Sequence, residues 1–152
     1  MKTAKLVTLF LLAGVLYSLS MADEMNSKPM TLQMLKDIAK TQWQLDVVQD
    51  TDSQKPLPKE PPITIMLEEN GKVAGGASVN RYFGEFELKS DGVIQWKGPG
   101  FGATMMAGPQ ELMDFEQYYF KILHQCDRLS MNNERLIFHT QDGKFRLEYQ
   151  KQ

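Results

Sequence analysis

Three short dipeptides punctuate the chain: Asn70-Gly71, Asp91-Gly92 and Asp142-Gly143. Each stands between runs of alternating apolar and polar side chains. The first separates Ile63–Leu67 from Lys72–Val79, the second Tyr82–Lys89 from Val93–Lys97, and the third Arg135–Thr140 from Phe145–Tyr149. Asn-Gly and Asp-Gly favour the primed two-residue turns whose twist matches paired strands. Alternation with period two gives strands with one buried face, as where Phe145, Leu147 and Tyr149 oppose Arg146 and Glu148. These signals predict three β-hairpins in an antiparallel sheet, with a turn of the primed type at Asn70-Gly71. A further strand is expected over Gln42–Val48, where Trp43, Leu45 and Val47 alternate.

Two segments carry helical spacing instead. Gly108 and Pro109 fit the N-cap and first position of a helix with Glu111 and Asp114 near its positive end. Leu112, Phe115, Tyr119, Ile122, Leu123 and Cys126 form its apolar stripe. A shorter helix capped by Thr31 carries Leu32, Leu35, Ile38 and Ala39 on one face. Residues 51–62 hold four prolines and read as an exposed loop inside one domain. Gly98-Pro99-Gly100-Phe101-Gly102 reads as a flexible crossing, and residues 23–30 as a frayed polar lead. The fold class is α+β: a curled, partly barrel-like antiparallel sheet against one amphipathic helix, with a short N-terminal helix.

The N-terminus reads as a secretory signal peptide. Lys2 and Lys5 precede an apolar run from Leu6 to Leu19, followed by the small-x-small site Ser20-Met21-Ala22. That run is shorter than the roughly 20 residues a spanning helix needs, and no second span follows. The division is therefore a signal peptide over 1–22, a segment over 23–42 and a domain over 43–152. The expected location is periplasmic or secreted, with no lipid-bearing Cys after the apolar run and no stable membrane span after cleavage. Cys126 is the one cysteine of the chain, so no internal disulfide is available in an oxidising compartment.

Composition narrows the function classes. The chain has 17 Lys and Arg against 19 Asp and Glu, and losing Lys2 and Lys5 makes the remainder more acidic. No basic cluster offers counterion release, so nucleic acid is not an expected partner. Two His and one Cys are too few for the usual zinc ligand sets. Ten Met suit copper(I) in principle, but none clusters with His or Cys, so packing is the expected role of Met105 and Met106. His124 and His139 have no nucleophile at suggestive spacing, and Glu111 and Glu116 do not share a helix face. The glycine run lacks the Lys-Ser/Thr ending of a phosphate loop. No catalytic, cofactor-binding or metal residues are assigned, and no cofactor is expected.

The order of the segments resembles the META domain family, of HslJ-like proteins. The resemblance rests on Gly75-Gly76-Ala77-Ser78-Val79-Asn80-Arg81-Tyr82-Phe83-Gly84, then Thr104-Met105-Met106-Ala107-Gly108-Pro109, a Glu-bearing helix and a closing Leu-x-Phe hairpin. It runs from about Trp43 to Tyr149. The family's motifs usually read Gly-Cys-Asn-Arg-Tyr and Thr-x-Met-x-Cys-Pro, so Val79 and Gly108 stand where two cysteines would be. Their joint loss implies the loss of a paired feature, either a disulfide or a shared thiol site. The resemblance implies an envelope or secreted location, links to stress resistance, motility or secretion, and no established enzymatic activity.

The motif residues Asn80, Arg81, Tyr82, Gly84, Thr104, Met106 and Pro109 are the candidate interaction surface. Asn80 and Gly84 also suit a bent strand end and a bulge, while Arg81 suits a carboxylate or phosphate of a partner. Tyr118, Tyr119 and Phe120 cannot all face the core, so one of them, with Phe101 or Trp96, is a second candidate for partner contact. The expected function is a noncatalytic exported binding or envelope-stress accessory domain, its partner an unspecified protein or envelope component. The alternatives are a small-ligand carrier with a pocket lined by Trp96 and Phe86, and an envelope hydrolase.

Overall fold

A computed structural model describes residues 26–53 and 55–152. The expected signal segment over 1–22 and its expected cleavage site lie outside the described residues. The strands are β1 (Lys28–Pro29), β2 (Gln42–Asp50), β3 (Thr64–Leu67), β4 (Lys72–Ala77), β5 (Asn80–Leu88), β6 (Ile94–Ala103), β7 (Arg128–Asn132), β8 (Arg135–His139) and β9 (Phe145–Lys151). The helices are α1 (Leu32–Ile38) and α2 (Gln110–Gln125). All strand pairs are antiparallel, in the order β1-β7-β8-β9-β2-β3-β4-β5-β6. The sheet stays open but curls far enough for Val93 near β6 to bridge Arg128 at the start of β7. No helix among the described residues is long and apolar enough to cross a membrane.

Helix α2 packs against β6 and β9. Tyr119, Ile122 and Leu123 on its stripe are fully buried, each side chain removed from water contributing about 1.5–3 kcal/mol. Phe86 and Trp96 pack edge to face with ring centroids 5.9 Å apart, so these side chains fill the place that the carrier reading gave to a ligand. Cys126 continues the stripe and is buried, which pushes its thiol pKa well up. Thr31 caps α1 as expected, its Oγ1 accepting from the Met34 amide at 3.2 Å.

Several local expectations are corrected. Gly71 has φ 86°, and the Glu68 amide donates to the Lys72 carbonyl across three loop residues. Asn70 is not left-handed, so the turn is a three-residue loop ending in a left-handed glycine, not a primed two-residue turn. The glycine run is no crossing loop: Gly98–Gly102 lies within β6, with Phe83 opposite Gly102 and Tyr82 opposite Ala103. As the edge strand of the sheet, β6 tolerates Pro99 because its outer amides need no ladder partner. Residues 28–30 are not frayed, since β1 pairs with β7 and Met30 is buried. Leu32, placed on the apolar face of α1, is 61% exposed. Pro109 takes the N-cap of α2 instead of the first helical position, so the helix starts one residue later than expected.

Candidate functional site

The two motifs meet at one buried residue. Asn80 opens β5, and its side-chain oxygen accepts from the Thr104 hydroxyl and the Met106 amide, both at 2.8 Å. Its side-chain nitrogen donates to Glu116 Oε1 at 2.7 Å and to the Met106 carbonyl at 3.4 Å. An amide side chain has two donors and two acceptor sites, and all are in use. Glu116 Oε2 in turn accepts the backbone amides of Val79 at 3.1 Å and Asn80 at 2.7 Å. Thr104 completes the arrangement by accepting the Arg81 amide at 3.1 Å. Asn80 and Glu116 are 6% and 7% exposed, so this fastening joins the β4–β5 turn, the segment after β6 and α2 in a setting where unmade bonds are costly.

Tyr82, two residues on, points inward to a second buried relay. Its hydroxyl donates to the Thr64 carbonyl at 3.0 Å. A phenol has one proton, so Tyr82 accepts from Tyr119 at 2.8 Å, and Tyr119 accepts from Tyr149 at 2.9 Å. Burial raises the pKa of all three hydroxyls well above the ordinary tyrosine value. Gly84 permits the close approach the sequence suggested but does not itself form the bulge: between the Phe83–Gly102 and Glu85–Lys97 pairs, residues 98–101 of β6 stand opposite Gly84 alone, and a Cβ on it would stand 2.8 Å from the Phe101 ring.

The remaining motif residues face outward. Arg81 gives only its backbone to the fastening and exposes its side chain, while Pro109 is exposed at the head of α2. Met106 does not enter the core: its backbone binds Asn80 while its side chain is 56% exposed, and the neighbouring Met105 is 98% exposed. The core role expected of these methionines is corrected accordingly, because the polar fastening fixes the segment through backbone groups.

Of the aromatic trio, Tyr119 is buried and Phe120 leans on Tyr82, Phe101 and Tyr119. Tyr118, half-buried, donates to Asp50 Oδ2 at 3.2 Å beneath the Lys55 ammonium. Burial, and then the Asp50 charge, push its hydroxyl up to about 12. Tyr118 therefore anchors the proline-bearing loop to α2 instead of standing free.

Sequence reasoning missed two features. Glu116 lies four residues after Leu112 and three before Tyr119, so a carboxylate on the apolar stripe was a readable sign of a buried polar contact. The second is Phe83, which lies in the alternating run Tyr82–Lys89 and is 62% exposed on the outer face of β5. It sits between Ala74 of β4 and Gly102 of β6, and its ring lies over Gly102, where a Cβ would collide with it. Two positions along, Glu85 of β5 stands between Lys72 and Lys97, beside a shallow depression of about 640 Å³.

The class defined by this architecture is an α+β domain with a curled antiparallel sheet closed by one long helix. The chain belongs to the META domain family, which matches residues 36–152. Its structure is similar to the NMR structure of a protein from Burkholderia xenovorans, with TM-score 0.64 and 21% identity over 82% of this chain and 90% of that one. It is also similar to the crystal structure of a DUF4847 family protein from Bacteroides vulgatus, with TM-score 0.52 and 11% identity over 74% and 93% of the two chains. These likenesses concern the fold. No curated protein matches the chain.

Proposed function

We propose that this META domain is a noncatalytic, exported accessory protein, periplasmic or secreted, that works in the envelope by binding a partner through its exterior, in a role related to envelope stress. The observation that carries the reading is the division of labour within the motif. Asn80, Thr104 and Glu116 spend their polar groups on one another and on backbone, so they serve as fastenings. Arg81, from the same motif, leaves its guanidinium exposed on the opposite face of β5. The charge-run and small-residue pattern of residues 1–22 supports export.

The test is retention of the domain from residue 23 onward on isolated cell-envelope material, compared with an Arg81→Ala variant of equal thermal stability. The reading expects saturable retention that falls with Arg81→Ala. Absence of retention, or retention indifferent to every outer-face substitution, contradicts it.

A further inference from the structure

We infer that the outer face of β4, β5 and β6 is a saccharide-binding platform on which the Phe83 ring stacks against a pyranose, flanked by Arg81 on one side and the Lys72–Glu85–Lys97 row on the other. The inference rests on the binding reading above and names the ligand class of that exterior.

The ring is placed as a platform. One side is occupied by the Gly102 backbone, and the neighbouring strand offers only Ala74, so no bulky side chain hides it. An aromatic side chain 62% exposed and held in this way presents an apolar surface of one ring's size to solvent. The C–H face of a pyranose matches that surface in size and polarity, and stacking removes both from water.

The flanks supply the polar half of the recognition. Arg81 and Glu85 lie two residues either side of Phe83 on the same face, about 7 Å along the strand in each direction. Lys72 and Lys97 flank Glu85 across the two ladders. None of these four charged groups stands within ion-pair distance of an opposite charge among the described residues. Ammonium and guanidinium groups donate and the carboxylate accepts, which complements hydroxyls, since each hydroxyl does both. Alternating charge does not favour a strongly charged ligand of either sign. Lys and Glu are depleted from the cores of protein–protein interfaces, and one aromatic ringed by them is a poor apolar centre for such an interface.

The experiment titrates the nitrogen-labelled domain with cellotetraose and, separately, N-acetylchitotetraose, following backbone amide resonances. The expected result is saturable shifts centred on Ala74, Phe83, Gly84 and Gly102 with at least one oligosaccharide. Phe83→Ala should weaken binding at least tenfold at an unchanged unfolding midpoint, and Phe83→Tyr should retain it. Saturation by N-acetylchitotetraose alone assigns the platform to amino-sugar glycans, and saturation by both to pyranoses in general. Absence of saturable shifts with both, or full affinity in Phe83→Ala, overturns the proposal. If neither sugar binds while retention on envelope material still depends on Arg81, the saccharide assignment fails and the binding reading stands. If that retention is absent too, both fail.

Discussion

The Cβ that Gly108 lacks would stand 3.5 Å from the Cβ of Val79. The motif resemblance puts the family's cysteines at these two positions, and their separation falls within the 3.5–4.5 Å typical of a disulfide. The site thus has the Cβ spacing that a crosslink needs. Replacing both residues by Cys is expected to give a spontaneous disulfide in air, detected as loss of titratable thiol in denaturant. The closed loop of about 30 residues predicts stabilisation of about 3–4 kcal/mol in urea unfolding. With Cys126 counted, three titratable thiols after oxidation instead of one would contradict the placement of the turn against the head of α2.

The tyrosine relay predicts an alkaline limit. The folded state raises the pKa of Tyr82, Tyr119 and Tyr149 through burial, so it disfavours their ionised forms. A raised folded-state pKa contributes stability that is full below the unfolded value of about 10 and is lost as pH climbs above it. Unfolding free energy should therefore fall steeply above about pH 10. Tyr119→Phe should cost about 1–3 kcal/mol at neutral pH, because it strands the Tyr149 proton and leaves Tyr82 without its donor. Urea titrations at stepped pH check both effects.

Gly75→Ala is a sharp test of sheet packing. A Cβ at that position would collide with the Thr64 carbonyl oxygen and come within 2.8 Å of the Tyr82 ring. Backbone of the neighbouring strand cannot yield as a flexible side chain can, so a loss of about 3 kcal/mol or more is expected in urea unfolding. Gly100→Ala, whose Cβ would meet nothing within 4 Å, should stay within about 0.5 kcal/mol of the parent and serves as the control.

The hairpins at Asp91-Gly92 and Asp142-Gly143 were legible because their turn residues determine the local backbone, and α2 because its stripe is long. The β4–β5 turn was not. Ala77 pairs directly with Asn80, leaving Ser78 and Val79 as a tight turn in which Ser78 has φ 25°, a positive value that neither residue type favours. It is held from outside, by a Glu116 carboxylate 37 positions away that binds the amide of Val79. Strand β7 escaped notice because five residues, Arg128–Asn132, give too little alternation to stand out, and its pairing with β8 turns at Asn133 without glycine. The motif residues could be picked out from the sequence. Their sorting into inward fastenings and an outward face depends on strand register, which local signals do not set where β6 bulges opposite Gly84.

That sorting is tested most directly by a double-mutant cycle on Asn80→Ala and Glu116→Ala, measured by urea unfolding. Two side chains joined at 2.7 Å and each burying its remaining bonds should couple by about 1–3 kcal/mol, with each single substitution costing about 2 kcal/mol or more. Additive losses within about 0.5 kcal/mol would mean that the two residues act independently, and the account of Asn80 as the fastening of this domain would be contradicted.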